Sequence, residues 1–143
     1  MELLIVVAIL MIIGAIAIPR INTALMNAKE MAAIRELQNL NTAQVQYMSH
    51  FGRYAANLTE LGPPSTGQAN PNGADLVTKE MANGAKNGYK FVMQTAQVGG
   101  YAISSTPLTF GSTGRRSFYT DASGVIRQNW GAEPATNASE ELK

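Results

Sequence analysis

Glu2-Leu3-Leu4-Ile5-Val6-Val7-Ala8-Ile9-Leu10-Met11-Ile12-Ile13-Gly14-Ala15-Ile16-Ala17-Ile18-Pro19-Arg20 is the stretch on which the fold turns. One carboxylate heads it, residues 3–19 carry no charge, and a proline and an arginine close it. A helix over the uncharged part spans about 25 Å, the short end of what crosses a bilayer. Three readings compete. A secretory signal peptide needs a basic start, a shorter apolar core and a small-x-small cleavage site; here the start is acidic and the run is long. A plain membrane anchor suits the flanking Arg20 and Lys29 under the positive-inside bias. The third is a helix that lives first in a membrane and later in a protein assembly. Glu2 favours that one, because a carboxylate entering an apolar environment is costly unless paired. The α-amine of another copy is the obvious partner, and a place in the headgroup layer would serve Glu2 equally well on physical grounds. A glutamate at a helix N-terminus also suits the macrodipole.

The totals narrow the class. With 143 residues the chain makes one domain with a modest core. A net charge of +1 gives no basic excess of the kind nucleic acid calls for. There is no cysteine, so there is no disulfide, thiolate metal site, cysteine nucleophile or C-x-x-C-H haem attachment.

Glu2 through Ile9, followed by Ala15-Ile16-Ala17-Ile18-Pro19, resembles the N-terminal signature of type IV pilins and of the related type II secretion pseudopilins. The carboxylate, the apolar composition and the interval from glutamate to proline all match. The resemblance implies an α+β pilin fold. One long kinked N-terminal helix would pack by its C-terminal half on a four-stranded antiparallel sheet. It implies that Glu2 pairs with the N-terminal amine of a neighbouring subunit, and that Gly14 and Pro19 mark where the helix kinks or loosens. The family pattern carries a short stretch, opening with an aromatic residue, ahead of the glutamate, where this sequence has Met1 alone. Met1 is therefore expected to be a methionine inside the motif, and to carry the family's N-terminal methyl group only if it is the true mature terminus. The family's usual helix glycine is replaced by Met11, with Gly14 three residues on.

Beyond Pro19, residues 21–51 contain neither proline nor glycine, so one helix is expected to continue through the kink. Placed at ~100° intervals, Ala33, Ile34, Leu37, Leu40, Val45, Tyr47, Met48 and Phe51 cover one wide arc. Arg35, Gln38, Asn39, Thr42, Gln46, Ser49 and His50 fill the other. Earlier, Ile21, Ala24, Leu25, Ala28, Met31 and Ala32 lie on the side that later becomes polar. The helix is thus expected to change partners near residue 33, packing on its own domain after it and on neighbouring copies before it.

The divisions expected are 1–20 for the hydrophobic helix half, 21–52 for the amphipathic half, 53–87 for a surface loop, 88–130 for the sheet and 131–143 for a loosely held polar tail. The loop is rich in Gly, Pro, Asn and Ser; residues 57–61 suggest one helical turn and 74–82 a short helix. Strands are expected over 88–96 (GYKFVMQTA), 100–105, 115–120 and 125–130, with Gly99-Gly100 turning the first pair and Asp121-Ala122-Ser123-Gly124 the last.

No catalytic constellation emerges, so no enzyme, cofactor or metal is expected. The one histidine, His50, falls on the polar helix face. Gly111-Ser112-Thr113-Gly114-Arg115 lacks the spacing and lysine of a phosphate loop and reads as a turn. Asp121 stands with Ser123 alone, too few oxygens for calcium. Arg115 and Arg116 suggest a surface ion pair sooner than nucleic acid. Asn57-Leu58-Thr59 and Asn137-Ala138-Ser139 fit the glycosylation sequon. The resemblance implies a major pilin: a structural subunit cleaved and methylated by a prepilin peptidase, held in the inner membrane, then moved by the assembly machinery into a helical filament of identical subunits on the cell surface. The alternatives are a secretion pseudopilin, whose loop usually carries an Asp-Pro-Trp-Gly stretch that this chain lacks, or a minor or competence pilin.

Overall fold

A computed structural model describes residues 1–96 and 99–143. Helix α1, Glu2–Phe51, is continuous through Gly14 and Pro19. Its expected end is sound: Gly52 adopts φ 71°, and its N–H donates to Met48 O at 2.9 Å. Glycine reaches this left-handed region without the Cβ clash that other residues meet. Pro19 has no N–H to give Ala15 O, while Thr23 Oγ1 donates to Pro19 O at 3.2 Å.

Two single-turn helices follow, α2 at Leu58–Leu61 and α3 at Lys79–Ala82. Asn57 and Thr78 cap them by accepting from Glu60 N and Met81 N. The helix expected over 74–82 is therefore only its last turn. Residues 74–77 instead pair back on α2, with Ala74 N, Asp75 N and Leu76 N donating to Glu60 O, Gly62 O and Leu61 O. The stretch expected to be a surface loop supplies core: Ala55, Leu58, Leu61, Ala74 and Met81 are buried.

The sheet holds six strands among the described residues, not four. β1 (Ala85–Lys86), β2 (Tyr89–Ala96), β3 (Gly100–Pro107), β4 (Arg116–Asp121), β5 (Ile126–Trp130) and β6 (Glu140–Glu141) form an antiparallel meander in chain order. The four long strands are those expected. The two-residue edges were missed because neither carries enough residues to show a period of two. The β4–β5 turn forms as expected: Gly124 takes φ 76° and Ser123 N donates to Asp121 Oδ1 at 2.9 Å. Of the β2–β3 turn, Gly99 has φ 66°, while Gln97 and Val98 lie outside the described residues.

The core forms where α1 crosses the sheet. Met26, Glu30, Ala33, Ile34, Leu37, Leu40, Ala43, Gln44 and Tyr47 make one buried stripe at three- and four-residue spacing. It meets Tyr89, Phe91, Tyr101, Ile103 and Phe118. Val45 and Met48 were expected on this stripe but are 62% and 41% exposed. They stand on its flank, beyond the cover that sheet and loop provide. As expected, Ile21, Leu25 and Met31 are not covered by the domain, but the change of partner is not at residue 33: the domain already buries Met26 and Glu30, two turns and one turn earlier on the same stripe.

The tail also departs from expectation. It is pinned, not loose: β6 pairs with β5, Ser117 Oγ donates to Glu133 O at 2.8 Å, and Leu142 N donates to Ile126 O at 2.9 Å. Ala135 is buried and Leu142 packs against the core. The architecture is α+β, a 50-residue N-terminal helix on an antiparallel sheet, compatible with the pilin fold that the first residues imply.

Candidate functional site

The most conspicuous surface is the N-terminal part of α1. Leu3, Leu4, Ile5, Ile9, Leu10, Met11, Ile12, Ile13, Ile16 and Ile18 are each more than half exposed. Completing the burial of such side chains is worth roughly 10–20 kcal/mol in all, even after discounting what helix neighbours already shield. That matches the whole folding stability of a typical domain. An apolar surface of this size is not left to water. The segment is long and apolar enough to cross a membrane, and nothing among the described residues folds over it.

Glu2 is exposed in the first turn of this helix, beside Met1 at 98% exposure. Its carboxylate sits at the positive end of the helix dipole. Gly14 and Pro19 lie within the same uncovered half. A Cβ built on Gly14 would meet nothing within 4 Å among the described residues outside the helix's own backbone, so no packing against the described part of the domain calls for glycine there.

The domain end of α1 is held by charge. Glu30 is 3% exposed; Arg115 N–H donates to its Oε1 at 2.7 Å and Arg116 Nε to its Oε2 at 2.8 Å. Arg116 also donates to Gln128 Oε1 and lies 5.4 and 4.9 Å over the rings of Phe118 and Trp130. The expected surface ion pair at Arg115-Arg116 is thus a buried clasp made by Arg116 and the Arg115 backbone. Its partner, Glu30, was missed because an acid on a helix reads as solvated. The hint was position, since Glu30 falls four residues after Met26 and four before Ile34, in phase with the stripe. Gly114, in the neighbouring turn, packs so closely on Tyr89 that a Cβ there would overlap the phenol oxygen. Tyr89 OH donates to Arg116 O, and burial raises its pKa.

A second buried polar group, Gln44, ties the loop to the helix. Its Nε2 donates to Ala55 O at 3.2 Å and its Oε1 accepts from Ala55 N at 2.9 Å. Nearby, the single Tyr47 O–H proton is shared between Pro71 O at 2.7 Å and Glu60 Oε2 at 3.1 Å. Burial pushes the Glu60 carboxyl up, but the Ala56 N–H, Arg53 and Tyr47 outweigh it and hold the pKa below its ordinary value. Burial foremost, with Glu60 beside it, raises the Tyr47 phenol.

The larger groove, about 560 Å³, runs between α1 and residues 75–78. Its Glu36 and Lys86 already pair at 2.7 Å. His50 is exposed in the last turn of α1. Among the described residues, no three His, Cys, Asp or Glu side chains gather where they could hold a metal ion. Asp121 is occupied in its turn and Asn57 in its cap.

Comparison with family models, curated proteins and solved structures gave no match. The first half of α1 is therefore the candidate site on physical grounds: an uncovered apolar rod with an acid at its tip, joined to a domain that grips the other half.

Proposed function

We propose that this chain is the structural subunit of a type IV pilus. It would be held in the inner membrane by the first half of α1 and then polymerised through that half into an extracellular filament. One observation carries the reading. The apolar half of α1 is bare, whereas one face of the second half of the same helix is buried by its own domain. Lipid can cover that surface before assembly and neighbouring helices after it. Exchange of lipid for protein gives little hydrophobic driving force, so helix packing and the pairing of Glu2 must favour the filament. The domain, with its own core, would form the outside. Prepilin peptidase and the assembly machinery are the partners this requires.

Electron microscopy of native material tests the proposal. Long extracellular filaments built of this chain are the expected result. A short complex confined to the cell envelope would point to a pseudopilin, and a monomeric membrane protein would overturn the reading. A Glu2→Ala variant separates anchoring from assembly. It should insert in the membrane at the normal level and yield few filaments; normal filament numbers would remove the role given to Glu2.

A further inference from the structure

The end of the domain nearest the bare helix has its own chemistry. A groove of about 360 Å³ lies between α1 and the β3–β4 turn. Asn22, Thr23, Ser112, Lys29 and Arg115 line it, and no carboxylate does. Neither Lys29 nor Arg115 forms a side-chain ion pair among the described residues. Glu30, which accepts from the Arg115 backbone, is buried and paired to Arg116.

Three large apolar side chains stand exposed at the same end: Leu108 at 56%, Phe110 at 50% and Trp130 at 64%. The backbone gathers them there. Leu108 N donates to Gly88 O, Phe110 bridges to Gly114, and Gly131 N donates to Arg115 O. A Cβ on Gly88 would lie 3.3 Å from Lys29 Cδ, which puts that turn at the level of Lys29. Trp130 is paired with Arg116 in the β4–β5 register.

Height along the helix decides what this end meets. Residues 22–29 lie roughly 30–40 Å from the start of α1 along its axis. A bilayer is roughly 40–45 Å thick with its headgroups. With residues 3–19 in the hydrocarbon, the groove stands at the headgroup layer. Aromatic residues and cations are the side chains that interfacial layer favours.

We propose that this end of the domain docks on anionic phospholipid while the subunit is membrane-held. Lys29 and Arg115 contact headgroup phosphates, and Leu108, Phe110 and Trp130 enter the interfacial layer. The inference rests on the membrane-inserted stage of the function proposed above. It adds a second, charge-dependent attachment that must be released before the subunit leaves the bilayer.

Trp130 is the only tryptophan, so it reports directly. The full chain is reconstituted at low protein-to-lipid ratio in vesicles of phosphatidylcholine, with or without phosphatidylglycerol. Flotation measures insertion, and quenching of Trp130 by lipid spin-labelled near the headgroup measures docking. The chain should float with both vesicles. Quenching should be roughly twofold or more stronger with phosphatidylglycerol, and should fall to the phosphatidylcholine level in a Lys29→Gln/Arg115→Gln variant. That variant keeps the Arg115 N–H on Glu30 and so keeps the clasp. Flotation with no quenching, or with quenching indifferent to lipid charge, overturns the docking and leaves the membrane reading standing. Shielding that rises with protein density instead of lipid charge assigns the patch to a second copy and also overturns it. Failure to float removes the membrane reading and the inference with it.

Discussion

Arg116 Nε meets Glu30 Oε2 at 2.8 Å across the helix–sheet boundary, and the carboxylate is almost wholly out of solvent. The pair joins the middle of α1 to β4, close to where the helix leaves the domain.

The two partners differ in what their loss leaves behind. Arg116→Met strands a buried carboxylate and should cost about 3–5 kcal/mol. Glu30→Gln leaves an arginine that still has Gln128 and two aromatic rings, and should cost about 1–2 kcal/mol. Chemical denaturation of the detergent-solubilised chain, followed by circular dichroism, checks the order. Equal losses would mean that the carboxylate is not as desolvated as its burial indicates.

Removing residues 132–143 strips β6, uncovers the site of Ala135 and the core contact of Leu142, and frees Ser117 Oγ. A loss of about 2–4 kcal/mol is expected from the apolar area and hydrogen bonds together. A freely moving tail would be removed without a change in denaturation midpoint.

Acid should weaken the fold through Glu60. Its folded pKa lies below its unfolded value. The stabilisation is therefore present above the ordinary glutamate pKa, near 4.5, and is lost as pH falls through the folded value. Glu60→Gln should be less stable at pH 7 and should show a smaller drop between neutral and acid pH than the parent. A parallel pair of curves would dismiss the contribution.

Alkali acts through the phenols. Burial, with smaller contributions from Tyr54 and Asp121, pushes Tyr101 up to about 12. Tyr47, Tyr89 and Tyr119 are raised too, each first by burial. A raised pKa gives stability that is whole below the unfolded value of 10.0 and lost as pH climbs through the folded one. Ultraviolet titration should show most tyrosines ionising late, together with unfolding. Tyr101→Phe should remove one late phenol and the bond that Tyr101 OH donates to Asn41 Oδ1.

Much of this protein is written locally. The uncharged run, the long stretch free of glycine and proline, the Gly52 stop and the Asp121–Gly124 turn depend on neighbours in sequence. The period-two alternation of Tyr89 and Phe91 against Lys90 likewise needed no fold to be seen. Helix, turns, the four long strands and the exposed apolar rod were legible for that reason.

What remained illegible depends on what covers a residue. Glu30 and Gln44 are polar side chains that turn inward because Arg116 and the Ala55 backbone are waiting for them. Val45 and Met48 are apolar side chains that face outward because sheet and loop stop short of them. The tail is held because β5 offers an open edge, and two residues suffice to use it. A sequence states each residue's hydrogen-bonding capacity and apolar area. Only the tertiary structure decides which partner arrives to satisfy the one and bury the other.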